Sequence, residues 1–280
     1  MRCKQLKVER FVKRVIALVI IIGALPFLNN ASAYAEEPRA ESQEPRAESR
    51  WLDDYHAKVG LTYNAQARIQ TSYLWRGLYC GAANIQASAN VGYGGLYFDM
   101  WWNIGVTDWT FKVFEPEVDL SLGFARWGLD VFLLYIHNFN CPFFDFGNYP
   151  DKGNRLELDV RYTVSSKLPL SILWATRVSA SDGYRNEAGE WVQAYSSYLE
   201  LSYTQKLRDG FSIYGAIGMT PWKGVYNPNG AALQNIELRL RKDWSVAQHC
   251  GVMLQAQMAV SPMQPINVIN LNATFGVYLK

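Results

Sequence analysis

The sequence is poor in the parts from which most catalytic and metal sites are built. Only three histidines occur in 280 residues, His56, His137 and His249, and no glycine run of the phosphate-cradling kind is present. The four cysteines, Cys3, Cys80, Cys141 and Cys250, fit no metal-ligand spacing. Helical periodicity is missing throughout, and beyond Ala35 no uncharged apolar run approaches the length of a membrane-spanning helix. These gaps point away from cofactor-dependent catalysis and from helical membrane proteins, and no cofactor is expected.

The N-terminus carries a different message. Met1 to Arg14 holds six bases (Arg2, Lys4, Lys7, Arg10, Lys13 and Arg14) against one acid, Glu9. An unbroken apolar run follows from Val15 to Leu25, then small residues at Ala31-Ser32-Ala33 and Ala33-Tyr34-Ala35. A charged head, a short apolar core and a small-x-small site read as a signal peptide over residues 1–35. The apolar run is short for a bilayer-crossing anchor, whose hydrocarbon span is about 30 Å.

Cutting after Ala35 changes the charge balance. The 27 Lys+Arg and 25 Asp+Glu of the whole chain become 21 and 24, a net −3 in place of +2. Nothing in that balance suggests a nucleic-acid partner. Residues 36–50, EEPRAESQEPRAESR, repeat Glu-Pro-Arg-Ala-Glu-Ser and carry no large apolar side chain. They cannot bury enough surface to offset ordering entropy, so 36–57 is expected to be a disordered periplasmic linker.

From Lys58 onward the dominant signal is period two. Ile269, Leu271, Ala273, Phe275, Val277 and Leu279 alternate with Asn270, Asn272, Thr274, Gly276, Tyr278 and Lys280. Tyr63 to Arg76 alternates in the same way. Such alternation predicts strands with one apolar and one polar face. The pattern yields twelve strands, near 58–77, 83–93, 96–107, 115–125, 129–138, 155–164, 168–179, 193–204, 211–220, 235–242, 252–260 and 266–280. Most reach the roughly 9–11 residues that a tilted strand needs to cross a bilayer.

The connections sort themselves by length. Gly94-Gly95, Arg126-Trp127-Gly128, Ser165-Ser166-Lys167, Lys206 to Gly210 and the stretch around Gln248 to Gly251 are tight. Those between them, such as Asp108 to Phe114, Phe139 to Asn154, Ala180 to Val192 and Pro221 to Gln234, are longer. Tight turns at one end and long loops at the other predict an all-β fold, a single antiparallel transmembrane β-barrel over 58–280 in a Gram-negative outer membrane, with periplasmic termini. Aromatics fall near strand ends on the apolar face. Tyr63, Tyr93, Tyr162, Tyr203 and Phe211 stand near the tight turns; Tyr73, Trp75, Trp102, Tyr135, Trp174 and Tyr195 stand near the long loops. Two such belts match two membrane interfaces, with outer-membrane lipids as partners.

The opposite face holds the strand charges. Acids stand at Asp99, Glu117, Asp119, Glu157, Asp159, Glu200 and Glu237, and bases at Arg68, Arg76, Arg161, Arg177, Arg239 and Arg241. Charges of both signs across a lumen would orient and select polar solutes, so these residues, Arg241 apart, are the expected pore lining and small polar solutes the expected cargo. Twelve strands lie between the small barrels filled by their own side chains and the large open ones. A non-conducting structural or adhesion barrel acting through its long loops therefore remains the alternative. Catalysis is not expected. His137 is outward-facing near a long loop, but the residues flanking it, Glu115-Pro116 and Arg155-Leu156, offer no Ser or Thr nucleophile. Cys80 and Cys141 fall in two long connections, where a bridge and separate thiols are both open.

Several stretches carry a family resemblance. Tyr73-Leu74-Trp75-Arg76-Gly77, Ala83 to Ser88, Gly95-Leu96-Tyr97-Phe98-Asp99 with Trp101-Trp102-Asn103, and Glu117-Val118-Asp119-Leu120 with Gly123 resemble the TorF-type porin family. Ala83 and Asn84 stand where that family usually has a Pro, and the likeness fades beyond about Asn138. It implies an outer-membrane barrel with a porin role.

Overall fold

The computed structural model describes residues 61–107, 112–139, 141–146, 153–179, 181–186, 188–263 and 269–279. The segments read as a signal peptide (1–35) and a linker (36–57), with His56, lie outside the described residues. The strands are β1 (Leu61–Gln70), β2 (Tyr73–Trp75), β3 (Leu78–Gly81), β4 (Asn84–Tyr93), β5 (Leu96–Thr107), β6 (Lys112–Arg126), β7 (Leu129–His137) and β8 (Arg155–Thr163). They continue as β9 (Leu170–Arg177), β10 (Gly183–Arg185), β11 (Trp191–Gln193), β12 (Ser197–Lys206), β13 (Phe211–Thr220), β14 (Ala232–Ala247), β15 (Cys250–Val260) and β16 (Ile269–Leu279).

Twelve of these close into a barrel in the order β1-β16-β15-β14-β13-β12-β9-β8-β7-β6-β5-β4. Every pairing round the ring is antiparallel, and β1 seals against β16 from Ala65↔Leu279 to Gln70↔Thr274. Closure leaves no unpaired edge, which is what a sheet needs to survive in hydrocarbon. Leu61 pairs with Tyr93 beside the Gly94-Gly95 turn, and Leu279 pairs with Cys250, so both ends of the barrel lie at the tight-turn rim.

The period-two pattern becomes two faces. On β16 Leu271 is 72% exposed while its neighbour Asn272 is 4% exposed. The same contrast runs round the ring: Leu122, Leu158, Ile172, Ile217, Leu238 and Leu254 are exposed outward, and Ser121, Asp159, Ala175, Ala216, Arg239 and Gln255 are buried inward. A continuous exposed apolar band of this size is what lipid covers, not water. Tyr63, Tyr93, Tyr162, Tyr203 and Phe211 are exposed near the tight-turn rim, as the sequence suggested.

Three strands differ most from expectation. The strand read as 58–77 stops at Gln70, where the Ser72 amide donates to the Asn272 side-chain oxygen at 3.2 Å and the chain then leaves the wall. The strand read as 193–204 begins at Ser197, because Trp191–Gln193 pairs with Gly183–Arg185 in a small hairpin of its own. β14 runs longer at both ends than the expected 235–242, with a register shift near Ala247 as it meets β15.

The belt at the long-loop rim is also corrected. Trp174 and Tyr195 are exposed there, but Tyr73 and Trp75 are buried inside the barrel. Trp102 and Tyr135 do face outward, and both are covered by the segment that follows β7.

Candidate functional site

The chain between β1 and β4 does not form an external loop. It folds into the barrel as a two-stranded hairpin, β2 against β3, with Trp75 paired to Leu78 across Arg76-Gly77. Both turn residues have positive φ, 47° and 81°. That is the geometry of a two-residue hairpin turn, and it is why a glycine follows Arg76. Space fixes the glycine as well, since a Cβ on Gly77 would lie 2.5 Å from the Gln234 carbonyl oxygen.

The hairpin touches the wall on many sides. Near its base, Tyr73 donates its hydroxyl to Glu117 on β6 at 2.8 Å and packs on Trp101 of β5, ring centroids 5.6 Å apart. At its tip, Trp75 and Leu78 cluster with Leu173 and Ala175 of β9, Tyr198 of β12, and Tyr226. Gly77 abuts β14 at Asn235. In the ring order β9 lies diametrically opposite β1, six places away in a circle of twelve. The hairpin therefore crosses the whole lumen, from the strand it leaves to the far wall.

Arg76 anchors the tip. Its Nη1 and Nη2 donate to the two carboxylate oxygens of Glu157 at 3.0 and 2.8 Å, and Nη2 reaches Asp159 at 3.4 Å. Nη1 also donates to the Tyr226 hydroxyl. The guanidinium lies 4.6 Å from the Trp75 ring centroid and 4.7 Å from that of Tyr198. A fork-to-fork carboxylate pair with aromatic faces on the remaining sides is a full guanidinium recognition set. Tyr198 can lie across the interior because Gly218 stands beneath it, where a Cβ would meet its hydroxyl at 1.9 Å.

The other expected lining residues are distributed around and below this tip. Arg177 on β9 approaches Glu157 at 4.0 Å, and Arg161 stands two residues beyond Asp159 on the same buried face of β8. Asp99, Glu117 and Asp119 are buried on β5 and β6, and Tyr97 donates to a further buried acid, Asp130, at 2.8 Å. On the opposite wall Glu200 accepts from Tyr198 and Tyr214 at 2.7 and 2.8 Å, and Glu237 pairs with Arg239 and accepts from Gln257 at 2.9 Å. An amide relay continues from Gln257 through Asn272 to Gln70. Arg241 pairs with Asp243 at 2.8 Å nearer the tight-turn rim, while Arg68 is half-buried on β1. The structure thus gathers Arg76, Glu157, Asp159, Arg161 and Arg177 into one cluster, joins Glu200 to it through Tyr198, and leaves Asp99, Arg68 and the Glu237–Arg239 pair on other arcs of the wall.

Sequence reasoning missed Tyr198, Tyr214 and Tyr226. Only the Arg76-Gly77 dipeptide inside an apparent strand signalled the in-turned hairpin.

A second connection takes the opposite course. After β7, Phe139 and residues 141–146 turn down over the outer wall. His137 stacks on Phe143 with ring centroids 3.8 Å apart, Tyr135 stacks on Phe144 at 5.0 Å, and Phe139 packs on the row Ala87, Trp102 and Val118. Asn154 pins the segment, donating to the carbonyls of Pro142 at 2.7 Å and Asp145 at 3.1 Å while its own oxygen meets His137 Nδ1. Among the described residues the polar partner of His137 is thus an amide rather than a Ser or Thr hydroxyl. Beside it, burial and then Asp145 raise the Cys141 thiol above its ordinary pKa. No disulfide joins Cys80 to Cys141, because the first lies in the hairpin inside the barrel and the second on its outer side.

A closed ring of twelve antiparallel strands, apolar outside and polar within, is a transmembrane β-barrel of the Gram-negative outer-membrane kind. The sequence matches no family model and no curated protein, so the TorF-type resemblance rests on its residues alone. Solved barrels resemble the fold at low identity. An outer membrane channel from Pseudomonas putida F1 matches with a TM-score of 0.46 and 13% identity over 81% of this chain and 97% of its own. The NanC porin gives 0.46 and 11% over 78% and 100%, and the KdgM porin 0.42 and 8% over 78% and 98%. Outer membrane phospholipase A from Escherichia coli also matches, at 0.37 and 13% over 83% and 96%. Likeness at this level carries no functional argument, and it spans both channels and an enzyme.

Proposed function

We propose that the protein is an outer-membrane channel for small polar solutes, its lumen lined by charges of both signs and narrowed by the hairpin of β2 and β3. The observation that carries this reading is the interior itself. Carboxylates, guanidiniums and amides follow one another round the wall from β5 to β16 and down toward the tight-turn rim. A barrel with a purely mechanical role gains nothing from buried ions, whose desolvation offsets their mutual attraction. A water path opened among them would solvate them and give them a use, as selectors of passing ions. Arg68, Asp99, Glu117, Asp119, Arg161, Glu200, Glu237 and Arg239 are the side chains such a path would meet, with Arg76, Glu157, Asp159 and Arg177 at its narrowest level. In this reading the tight turns face the periplasm and the long connections face outward.

A second reading is favoured by one observation, the hairpin that reaches wall to wall. If it never moves, the barrel does not conduct and acts through its long connections. Planar-bilayer recording of the full chain, processed in cells and purified from membranes, separates the two. Reproducible current steps, with cation preference lowered by Glu117→Lys plus Asp119→Lys, support the channel. A folded but silent barrel supports the second reading.

A further inference from the structure

We propose that the cradle formed by Glu157, Asp159, Tyr226 and Tyr198 is a binding site for solutes bearing a guanidinium group, and that Arg76 occupies it as an internal stand-in that latches the hairpin across the lumen. The inference rests on the channel reading and names its solute class and its gate.

The cradle is shaped for such a cation. Two in-plane donations to Glu157, a third to Asp159 and stacked aromatic rings use both the charge and the flatness of the group, a fit that a compact ammonium cannot reproduce. The occupant sits at the tip of a short ladder, three residues on one strand and four on the other, not on the barrel wall. Such a two-stranded unit has little stability of its own, so its position depends on its contacts with the wall, of which those of Arg76 are the charged ones.

Release of the tip does not strand the acids. Arg177, in register with Glu157 and 4.0 Å from it, and Arg161, two residues beyond Asp159, stay on the wall when Arg76 withdraws, so both acids keep a guanidinium nearby. A free guanidinium solute entering the cradle meets the same partners without ordering the hairpin. Competition between the two is the expected behaviour, and a solute bound there biases the lumen toward the open state.

Cys80 on β3 provides the readout. It is half-buried against the tip cluster, so withdrawal of the hairpin changes its access to water. The full chain with Cys3, Cys141 and Cys250 replaced by Ser is treated with an anionic, membrane-impermeant methanethiosulfonate, in guanidinium chloride or in sodium chloride of equal ionic strength. Guanidinium, at concentrations well below those that unfold the barrel, should raise the labelling rate of Cys80 saturably, by about tenfold, while sodium leaves it unchanged. In Arg76→Ala labelling should be fast from the start and insensitive to either salt. Equal rates in the two salts overturn the proposal, and so does a guanidinium response that survives Glu157→Gln. The salt comparison needs no change at the cradle, so it stands if either variant misfolds. Conductance recorded in parallel separates the two claims. A silent barrel with responsive Cys80 refutes the channel and keeps the site, and a conducting barrel with unresponsive Cys80 does the reverse.

Discussion

Two connections at the same rim of this barrel, both rich in aromatics, end up on opposite sides of its wall. Tyr73-Leu74-Trp75-Arg76-Gly77-Leu78 turns inward, and Phe139 with residues 141–146 turns outward. Hydrophobicity does not separate them. The first carries a guanidinium at a tight turn, and the acids that can neutralise it, Glu157 and Asp159, lie only on the inner face. The second has no base in its described part and folds onto an outer aromatic row, its backbone held by Asn154. The two segments thus differ in what they pair with: the guanidinium meets its acids on the inner face, and the outer segment meets an aromatic row and the Asn154 amide.

That comparison can be broken by moving the charge. Arg76→Glu would set a third carboxylate beside Glu157 and Asp159, and a like-charge cluster inside a barrel is strongly unfavourable. The hairpin should be expelled, shown by chymotrypsin cutting between Tyr73 and Tyr79 in an otherwise intact barrel. A variant that resists cutting as the unmodified chain does would show that Arg76 does not set the direction. Arg76→Ala is milder. Breaking a buried pair commonly costs about 3–5 kcal/mol, and Arg177 at 4.0 Å from Glu157 takes up part of that, so about 2 kcal/mol is expected by urea unfolding in detergent.

The outer connection should respond less and without any effect on the interior. Asn154→Ala removes two donations to backbone carbonyls and the contact with His137, a loss of about 1–2 kcal/mol. Cleavage within 141–146 should rise while ion conductance stays unchanged. Phe144→Ser is the smallest change. The side chain is 66% exposed, so stability in detergent should shift by about 0.5 kcal/mol or less. A larger loss would mean that the outward fold, and not the anchor at Asn154, holds this segment.

Much of the architecture could be read from the residues. Period two along β16 and the Gly94-Gly95 turn place strands, faces and hairpin partners directly, because side-chain alternation and turn chemistry are local. The inward set at Glu157, Asp159 and Arg161 follows from the same alternation. The hairpin did not follow. Tyr73, Trp75 and Arg76 keep strand alternation with β1, and only Gly77 breaks it. Whether a chain continues along a wall or turns across the lumen depends on a partner more than eighty residues away in sequence, which periodicity cannot see. Tyr226 is hidden for the same reason. It reaches Arg76 from a long connection with no pattern of its own. The covering of Trp102 and Tyr135 likewise comes from a segment whose aromatics are readable but whose direction is not.

The central claim is that the lumen is a path and that the hairpin stands across it. Its most direct test is single-channel conductance of the full chain beside a version in which residues 72–81 are replaced by a short Gly-Ser turn. The account expects the excised barrel to conduct several-fold more per channel, with cation preference still set by Glu117 and Asp119. Equal conductance in the two proteins, or silence in both, would contradict it.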